Sequence, residues 1–310
     1  MKIFIKVEFF QNSKYLQHLL EHTIGGNLRK IDAFFDLFLE SDLHTFNSYI
    51  LWEIPNYCDL ETFKQAIFSE PNLKIFNYEK KVLKDELLKT SFKLKIEQKI
   101  GKILFGKDFN ITKNQKVSFE KALIYHKKYF NEKNIIITDD DYNILEDNLF
   151  EKKFGKNLDF KTKKFYFKIN DFPCFLFVKK IENYLDYYLF FFLEFFYANL
   201  FSYQIRFNEG FYYYDHEAYS YRIYDANIFC LTCEILDFEE EFFEKAKKSF
   251  LEIIEKGYGK KGKIVCKMVY GEEVDLEKVK NFFKNFSSSD LKKIIGKQKD
   301  YKYFYICNIK

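Results

Sequence analysis

The sequence lacks a strong excess of charge of either sign. It has 50 lysine and arginine residues against 46 aspartate and glutamate residues, so the net charge is only +4 at pH 7. Nucleic-acid-binding proteins usually concentrate basic residues on one face, and this near balance argues against a nucleic-acid partner. Apolar residues make up 47% of the chain, which is ample material for a packed core.

We expect no secretory leader, and the cysteines form no regular pattern. The opening MKIFIKVEFF contains Lys2, Lys6 and Glu8 and alternates like a strand, so it offers no apolar signal segment. The six cysteines are scattered at Cys58, Cys174, Cys230, Cys233, Cys266 and Cys307. We therefore expect free thiols in a reducing cytoplasm.

One cysteine pair, Cys230 and Cys233, has the CxxC spacing that redox and metal sites use. It lies in the apolar run NIFCLTC, which is typical of a strand. Residues three apart on a strand point to opposite faces, so the spacing argues against a shared redox or metal role.

A membrane span is also disfavoured. The apolar run Tyr184–Phe201 has the length of a span but contains Asp186 and Glu194. A charged group near the centre of a bilayer costs about 2.5–3.5 kcal/mol on insertion scales. The run predicts a helix buried between a sheet and another layer, and no membrane partner.

The length of 310 residues suits two domains of ordinary size. The polar, basic stretch Gly155–Lys164 is the predicted boundary, with domains at 1–158 and 164–310. Strands and helices occur together in each half. This predicts an α+β fold of two related-looking sandwich domains, with mixed, mostly antiparallel sheets and helices packed on one face.

Apolar spacing, prolines and charged helix ends predict the individual elements. In the first domain these are strands at Lys2–Phe10, Ser48–Ile54 and Asn134–Thr138, and helices at Tyr15–His22, Arg29–Leu39, Leu60–Phe68, Asn77 to beyond Leu94, Phe119–Phe130, and Asp139 to before Gly155. In the second they are strands at Phe165–Ile169, Cys174–Lys180, Gly210–Tyr214, Tyr219–Tyr224, Ile228–Ile235, Lys263–Tyr270 and Tyr301–Asn308, and helices at Tyr184–Phe201, Phe238–Lys256 and Leu276–Phe286.

The segment His18-Leu-Leu-Glu21-His22 carries the clearest chemistry. Residues four apart lie above one another on a helix, so both imidazoles can reach one metal ion. Glu21 lies about 100° round the helix from His22, close enough to activate a water on the same ion. This H-x-x-E-H order is that of inverted zinc peptidases, in which three protein ligands leave one position open.

A third ligand has to come from elsewhere in the chain, and Glu86 is the candidate. Glu79 and Glu86 lie seven residues apart in EKKVLKDEL, two helical turns, and therefore share a helix face. One can bind zinc while the other orients a histidine. The alternative is a surface helix with two solvated histidines and ordinary carboxylates.

Three segments in the first half resemble the pitrilysin/insulinase family of zinc peptidases. Asn12–His22 is similar to the opening of the family's metal-binding helix, Glu79–Leu87 to its E-x6-E helix, and Ala122–Gly155 to the close of its first domain. The resemblance implies zinc held by His18, His22 and Glu86, with Glu21 as the general base and Glu79 supporting a histidine.

The second half resembles the family less strongly. Asp186–Tyr213 is similar to its long helix followed by R-x6-Y, which implies that Arg206 and Tyr213 reach the substrate and that the tyrosine helps to stabilise an oxyanion. Tyr212 and Tyr214 flank Tyr213, so a shift of one position in the alignment would make either of them the match to the family's tyrosine. We expect no counterpart of the family's N-terminal hairpin, and Asn47, or His44 in its place, would bind substrate backbone.

The family resemblance implies a peptidase for peptides or unfolded segments, working as a homodimer or with a peptidase-like partner. The alternative is a non-catalytic subunit that binds such a partner or a peptide. S-ribosylhomocysteine lyases share the motif, but they use a cysteine as third ligand and a much smaller domain. A globular α+β protein with a chance motif is the remaining alternative.

Overall fold

The structure, a computed structural model, describes residues 1–7, 13–31, 43–45, 49–53, 59–88, 98, 101–102, 117–149, 162–169, 172–180, 182–202, 218–223, 226–231, 237–296 and 303–304. The chain divides into two compact units, residues 1–155 and 156–310. In the described residues, each unit combines helices with a five-stranded sheet, so the predicted α+β fold class is confirmed.

The first unit is built on an antiparallel sheet. Its strands are β1 (Lys2–Lys6), β2 (Leu43–Thr45), β3 (Tyr49–Glu53), β4 (Ile135–Thr138) and β5 (Ile144–Asp147), in the order β2-β3-β1-β4-β5. Ile3 on the central strand pairs with Trp52 on one side and Ile137 on the other. These three side chains belong to one buried apolar core, because residues paired across a sheet share a face.

Helices complete this core. They are α1 (Ser13–Ile31), α2 (Leu60–Phe68), α3 (Leu73–Leu88) and α4 (Phe119–Tyr129), followed by a 3-10 turn at Glu132–Asn134. The helix α2 has the predicted bounds, and Asp59 caps it by accepting the Thr62 N–H at 2.9 Å. Ser118 caps α4 in the same way through the Lys121 N–H. Apolar residues of all four helices pack with the sheet.

Helix α1 runs further than predicted. The prediction of two helices, Tyr15–His22 and Arg29–Leu39, is wrong for the described part, because one helix continues through Gly25 and Gly26 to Ile31. A Cβ added at Gly26 would lie 2.4 Å from Cγ2 of Ile75 on α3. The glycine therefore permits close approach of α1 and α3 and does not end the helix.

The predicted helix beginning at Asp139–Asp141 is also wrong. Asp139 accepts hydrogen bonds from the backbone N–H and side-chain amide of Asn143, both at 2.7 Å, and Tyr142 has a positive φ of 61°. Aspartate bonded to the backbone a few residues on makes a turn as readily as a helix cap. The turn leads into β5, which pairs with β4.

The second unit contains a mixed sheet. Its strands are β6 (Thr162–Ile169), β7 (Phe172–Lys180), β8 (Ala218–Ile223), β9 (Ala226–Leu231) and β10 (Tyr303–Phe304), in the order β10-β6-β7-β9-β8. The pairs are antiparallel except for β10 beside β6. The predicted strand at Gly210–Tyr214 lies outside the described residues.

Helices pack on this sheet. They are α5 (Tyr184–Phe201), α6 (Glu240–Ile253), α7 (Gly259–Tyr270), α8 (Leu276–Asn285) and α9 (Ser288–Ile295), with a π-helical turn at Ile254–Tyr258 between α6 and α7. The helix α5 has the predicted bounds and lies in the core between strands β8 and β9 and helices α6 and α7. Burial on several sides explains its apolar sequence, and in the described part of the chain no helix meets the length and hydropathy needed to span a membrane.

The predicted strand at Lys263–Tyr270 is a helix, α7. Its β-branched residues favour a strand by propensity, but buried Ile264, Val265, Met268 and Val269 recur with helical spacing. A Cβ at Gly262 would lie 2.4 Å from the Tyr188 hydroxyl oxygen, so glycine allows α7 to lie close against α5. Packing against α5 therefore outweighs the local propensity of this segment for a strand.

Candidate functional site

Two histidines of α1 face each other. Their Nε2 atoms are 3.1 Å apart and their ring centroids 4.7 Å, as expected for residues one helical turn apart. His18 and His22 are each partly exposed, while their helix neighbours Leu19 and Leu20 are fully buried. The core face of α1 therefore orients the helix so that both imidazoles reach its accessible side.

Glu79 of α3 fixes the second of these rings. Its Oε2 lies 3.1 Å from Nδ1 of His22, and the glutamate side chain is only 4% exposed. In the neutral ring, donation from Nδ1 of His22 to this carboxylate leaves the lone pair on Nε2, the atom that lies nearest His18. The absence of a side chain at Gly26 permits the close approach of α1 and α3 near this bond.

Glu21 lies between the two histidines in sequence and is 5% exposed. A carboxylate on a core-forming helix carries a high desolvation cost, so such residues are rarely buried without a specific reason. Among the described side chains of α1, Gln17, Thr23 and Asn27 are buried polar residues as well.

The spacing of the two imidazole nitrogens is close to that of a pair of zinc ligands. Imidazole nitrogens bind zinc at about 2.0–2.1 Å, and a tetrahedral angle then places two such nitrogens about 3.3 Å apart. The observed Nε2–Nε2 separation is 3.1 Å. A carboxylate on the other nitrogen of a metal-binding histidine is also the usual supporting arrangement. The competing arrangement is a hydrogen bond from Nε2–H of His18 to Nε2 of His22.

The third ligand is the incomplete part of this site. Glu86 belongs to α3, seven residues after Glu79, but its side chain is outside the described residues. Among the side chains that are described, no group of three or more His, Cys, Asp or Glu is placed to hold a metal ion. The role of Glu86 stays a prediction.

The remaining predicted site residues lie outside the described part of the chain. They are Asn47, Arg206 and Tyr213, with the neighbouring alternatives Tyr212 and Tyr214. For His44, the other candidate at the Asn47 position, the backbone in β2 is described but the side chain is not.

Sequence reasoning missed one pair beside the motif. Gln17, which directly precedes His18, donates from Nε2 to the hydroxyl oxygen of Tyr125 on α4 at 2.8 Å, and both residues are buried. The two are 108 positions apart. The burial of Tyr125 follows from the helical spacing of α4, but nothing in the sequence pairs it with Gln17.

His126, the neighbour of Tyr125, is a histidine of a different kind. It is 3% exposed, and its Nε2 lies 2.9 Å from the carbonyl oxygen of Ile67, to which it donates. Burial lowers the pKa of His126 below its ordinary value of 6.5, because desolvation disfavours the charged ring. This histidine ties α4 to the end of α2 and has no metal-binding geometry.

Comparison with known proteins finds solved structures with a similar fold. No protein-family model matches the chain, and no curated protein matches it by sequence. A protease from Helicobacter pylori has a similar structure, with a TM-score of 0.57 and 14% identity over 95% of this chain and 89% of that one. A conserved protein from Enterococcus faecalis V583 is similar with a TM-score of 0.54 and 12% identity, over 95% and 90% of the two chains. At these identities the likeness shows a shared fold.

Proposed function

We propose that this protein is a zinc-dependent endopeptidase that cleaves peptides or unfolded segments. The observation that carries the proposal is the pair of Nε2 atoms 3.1 Å apart, one of them on a ring held by the buried Glu79. The shared fold with a structure described as a protease supports a peptidase over other zinc enzymes. The metal ligands in this proposal are His18, His22 and Glu86.

In this proposal, the residues of α1 and α3 have separate chemical roles. Glu79 accepts the Nδ1–H of His22 and so keeps the Nε2 lone pair available for binding. Zinc, when bound, would supply Lewis acidity, acidifying water and polarising a carbonyl. Glu21, next to the ligand His22, would accept the proton of the attacking water and donate it to the leaving amine.

The second unit would contribute to substrate recognition. Following the family resemblance, Arg206 and Tyr213 contact the substrate, the tyrosine stabilises developing negative charge on the carbonyl oxygen, and Asn47 binds the substrate backbone. Extended peptides suit such a site because an added strand reads backbone more than side chains. The proposal includes a homodimer or a heterodimer with a peptidase-like partner.

The proposal also includes a cytoplasmic location. The support for it is the scattered spacing of the six cysteines, which is typical of proteins from a reducing compartment. Fractionation of cells that express the tagged protein would test this, and recovery with secreted material would contradict it.

The direct test of the chemistry is Glu21→Gln, which keeps the side-chain shape and removes the base. With zinc present and a quenched peptide library as substrate, we expect kcat to fall by about 10²–10⁴-fold, the usual contribution of a general base. Glu120→Gln on the exposed side of α4 is the matched control and should leave kcat unchanged. Full activity in the Glu21 variant would refute its role as base.

Zinc analysis separates the enzyme from the non-catalytic alternative. Near-stoichiometric zinc in the purified protein, lost in His22→Ala, would favour the peptidase. A protein that binds no zinc and cleaves no peptide, yet retains a peptidase-like partner, would favour the binding subunit.

A further inference from the structure

The buried bond between Gln17 and Tyr125 joins the motif helix to α4. The Gln17 amide is fully buried, Tyr125 is 4% exposed, and the donor and acceptor atoms are 2.8 Å apart. Gln17 precedes His18 by one position and lies one helical turn before Glu21, so it shares a helix face with the proposed base. Any rotation of α1 that moves these residues would also disturb this bond.

Helix α4 is a fixed support for Tyr125. The next residue, His126, is bonded to Ile67, and the Asn134 amide donates to the carbonyl oxygens of Lys128 and Tyr129 at the helix end. At the other end the Lys80 ammonium donates to the Val117 carbonyl at 2.9 Å. Since α4 is secured at both ends, the Tyr125 hydroxyl can act as a reference point for α1.

The importance of such a reference point depends on how far a rotation of α1 displaces the imidazole rings. The Cα atoms of a helix lie about 2.3 Å from its axis and an imidazole roughly three times as far, so a rotation of about 20° moves a ring by roughly 2 Å. Displacements near 1 Å already cost about 10²-fold in rate at catalytic sites. Apolar packing tolerates small rotations, whereas a hydrogen bond restricts them through its angle.

The Gln17–Tyr125 hydrogen bond is also a poor source of stability by itself. Burying an amide and a hydroxyl requires desolvating both, and apolar residues of similar shape in place of both partners are often nearly neutral or stabilising. A core that needed only packing at this position would be served by leucine and phenylalanine.

We propose that Gln17 and Tyr125 are positioning residues, which set the rotation of α1 and thereby the orientation of His18, His22 and Glu21. The proposal rests on the proposed function for its catalytic consequence. Its geometric content concerns the metal-free protein and can be tested there.

The experiment compares the wild type with Tyr125→Phe and with the double variant Gln17→Leu/Tyr125→Phe. The single change removes one partner and should lower stability, while the double change removes both and should restore most of it. A solely structural bond predicts that activity recovers with stability in the double variant. The positioning role predicts that stability recovers while kcat stays at least tenfold below wild type and KM changes little.

Histidine-labelled NMR spectra of the metal-free protein supply the second readout. The chain has only five histidines, so the cross-peak expected between the rings of His18 and His22 can be assigned by single substitutions. We expect this cross-peak to weaken in the double variant and to persist in Glu120→Gln. An unchanged cross-peak and unchanged kcat in the double variant would overturn the proposal.

The two proposals fail in different ways. If the wild type neither binds zinc nor cleaves peptide, the proposed function fails, and the cross-peak alone still decides whether Gln17 and Tyr125 orient the two rings.

Discussion

The first long helix of each unit can be compared directly. The helices α1 and α5 have 19 and 18 residues, and each contributes to the apolar core of its unit. The helix α5 buries mainly aromatic and aliphatic residues, and its buried Asp186 caps the first turn and pairs with Lys179 at 2.5 Å. The helix α1 instead buries Gln17, Glu21, Thr23 and Asn27 among its leucines.

The difference indicates separate tasks. Buried polar groups contribute less to stability than apolar groups of the same size, because they have to be desolvated. Helix α5 therefore gains more stability from its buried side chains than α1, which buries polar groups close in sequence to His18 and His22. We expect substitutions in α5 to affect mainly stability, and substitutions in or beside α1 to affect mainly metal binding and activity.

The largest expected effect is on stability and lies in α5. Phe192 is fully buried, and its ring contacts those of Phe196, Phe243, Phe250, Phe283 and Phe286. Phe192→Ala should lower the free energy of unfolding by about 3–5 kcal/mol through the cavity it leaves, without affecting zinc binding. Tyr258→Ala at an exposed position of the same unit should cost far less.

Two probes can assign this loss to one unit. The only tryptophan, Trp52, lies in the core of the first unit, so its fluorescence reports that unit, while far-ultraviolet circular dichroism reports both. We expect Phe192→Ala to shift the circular dichroism transition more than the Trp52 transition. Equal shifts would show that the units unfold together, and the loss of stability could then not be assigned to one unit.

The next effect is on metal affinity and lies beside α1. Glu79→Gln keeps the shape of the side chain but weakens its hold on Nδ1 of His22. Zinc affinity, measured by competition with a chelating dye, should fall by about 10–100-fold. Glu120→Gln should leave it unchanged, and an equal loss in both variants would show that Glu79 has no specific role.

The sequence predicts part of this contrast. The bounds of α2 and α5 are predictable because their caps are local: Asp59 bonds Thr62, and Asn183 forms a capping box with Asp186. The face shared by His18 and His22 follows from their spacing. The helical state of α7, the continuation of α1 past Gly26 and the Gln17–Tyr125 bond depend on partners distant in the chain, which local patterns do not encode.

The smallest expected effect is on the pH dependence of stability and comes from the buried His126 in the first unit. Because burial lowers the pKa of His126, the unfolded chain takes up a proton near the ordinary value of 6.5 while the folded chain does not. Its contribution to stability is complete above pH 6.5 and is lost as the pH falls toward the folded pKa. The slope for one proton is at most about 1.4 kcal/mol per pH unit.

His126→Gln is the matching variant, since glutamine can still donate to Ile67 but does not titrate. Denaturant unfolding followed by Trp52 fluorescence between pH 5 and 8 should show a smaller loss of stability on acidification in the variant, with zinc binding unchanged at neutral pH. Identical pH profiles would mean that the His126 pKa is not lowered by folding.

We propose that His18 and His22 bind one metal ion between them. Anomalous diffraction at the zinc absorption edge, from crystals grown with zinc, tests it most directly. The proposed function predicts a single peak about 2.0–2.1 Å from Nε2 of both histidines, with the Glu86 carboxylate as a further ligand of the same ion. Two imidazoles hydrogen-bonded to each other, with no peak between them, would contradict it.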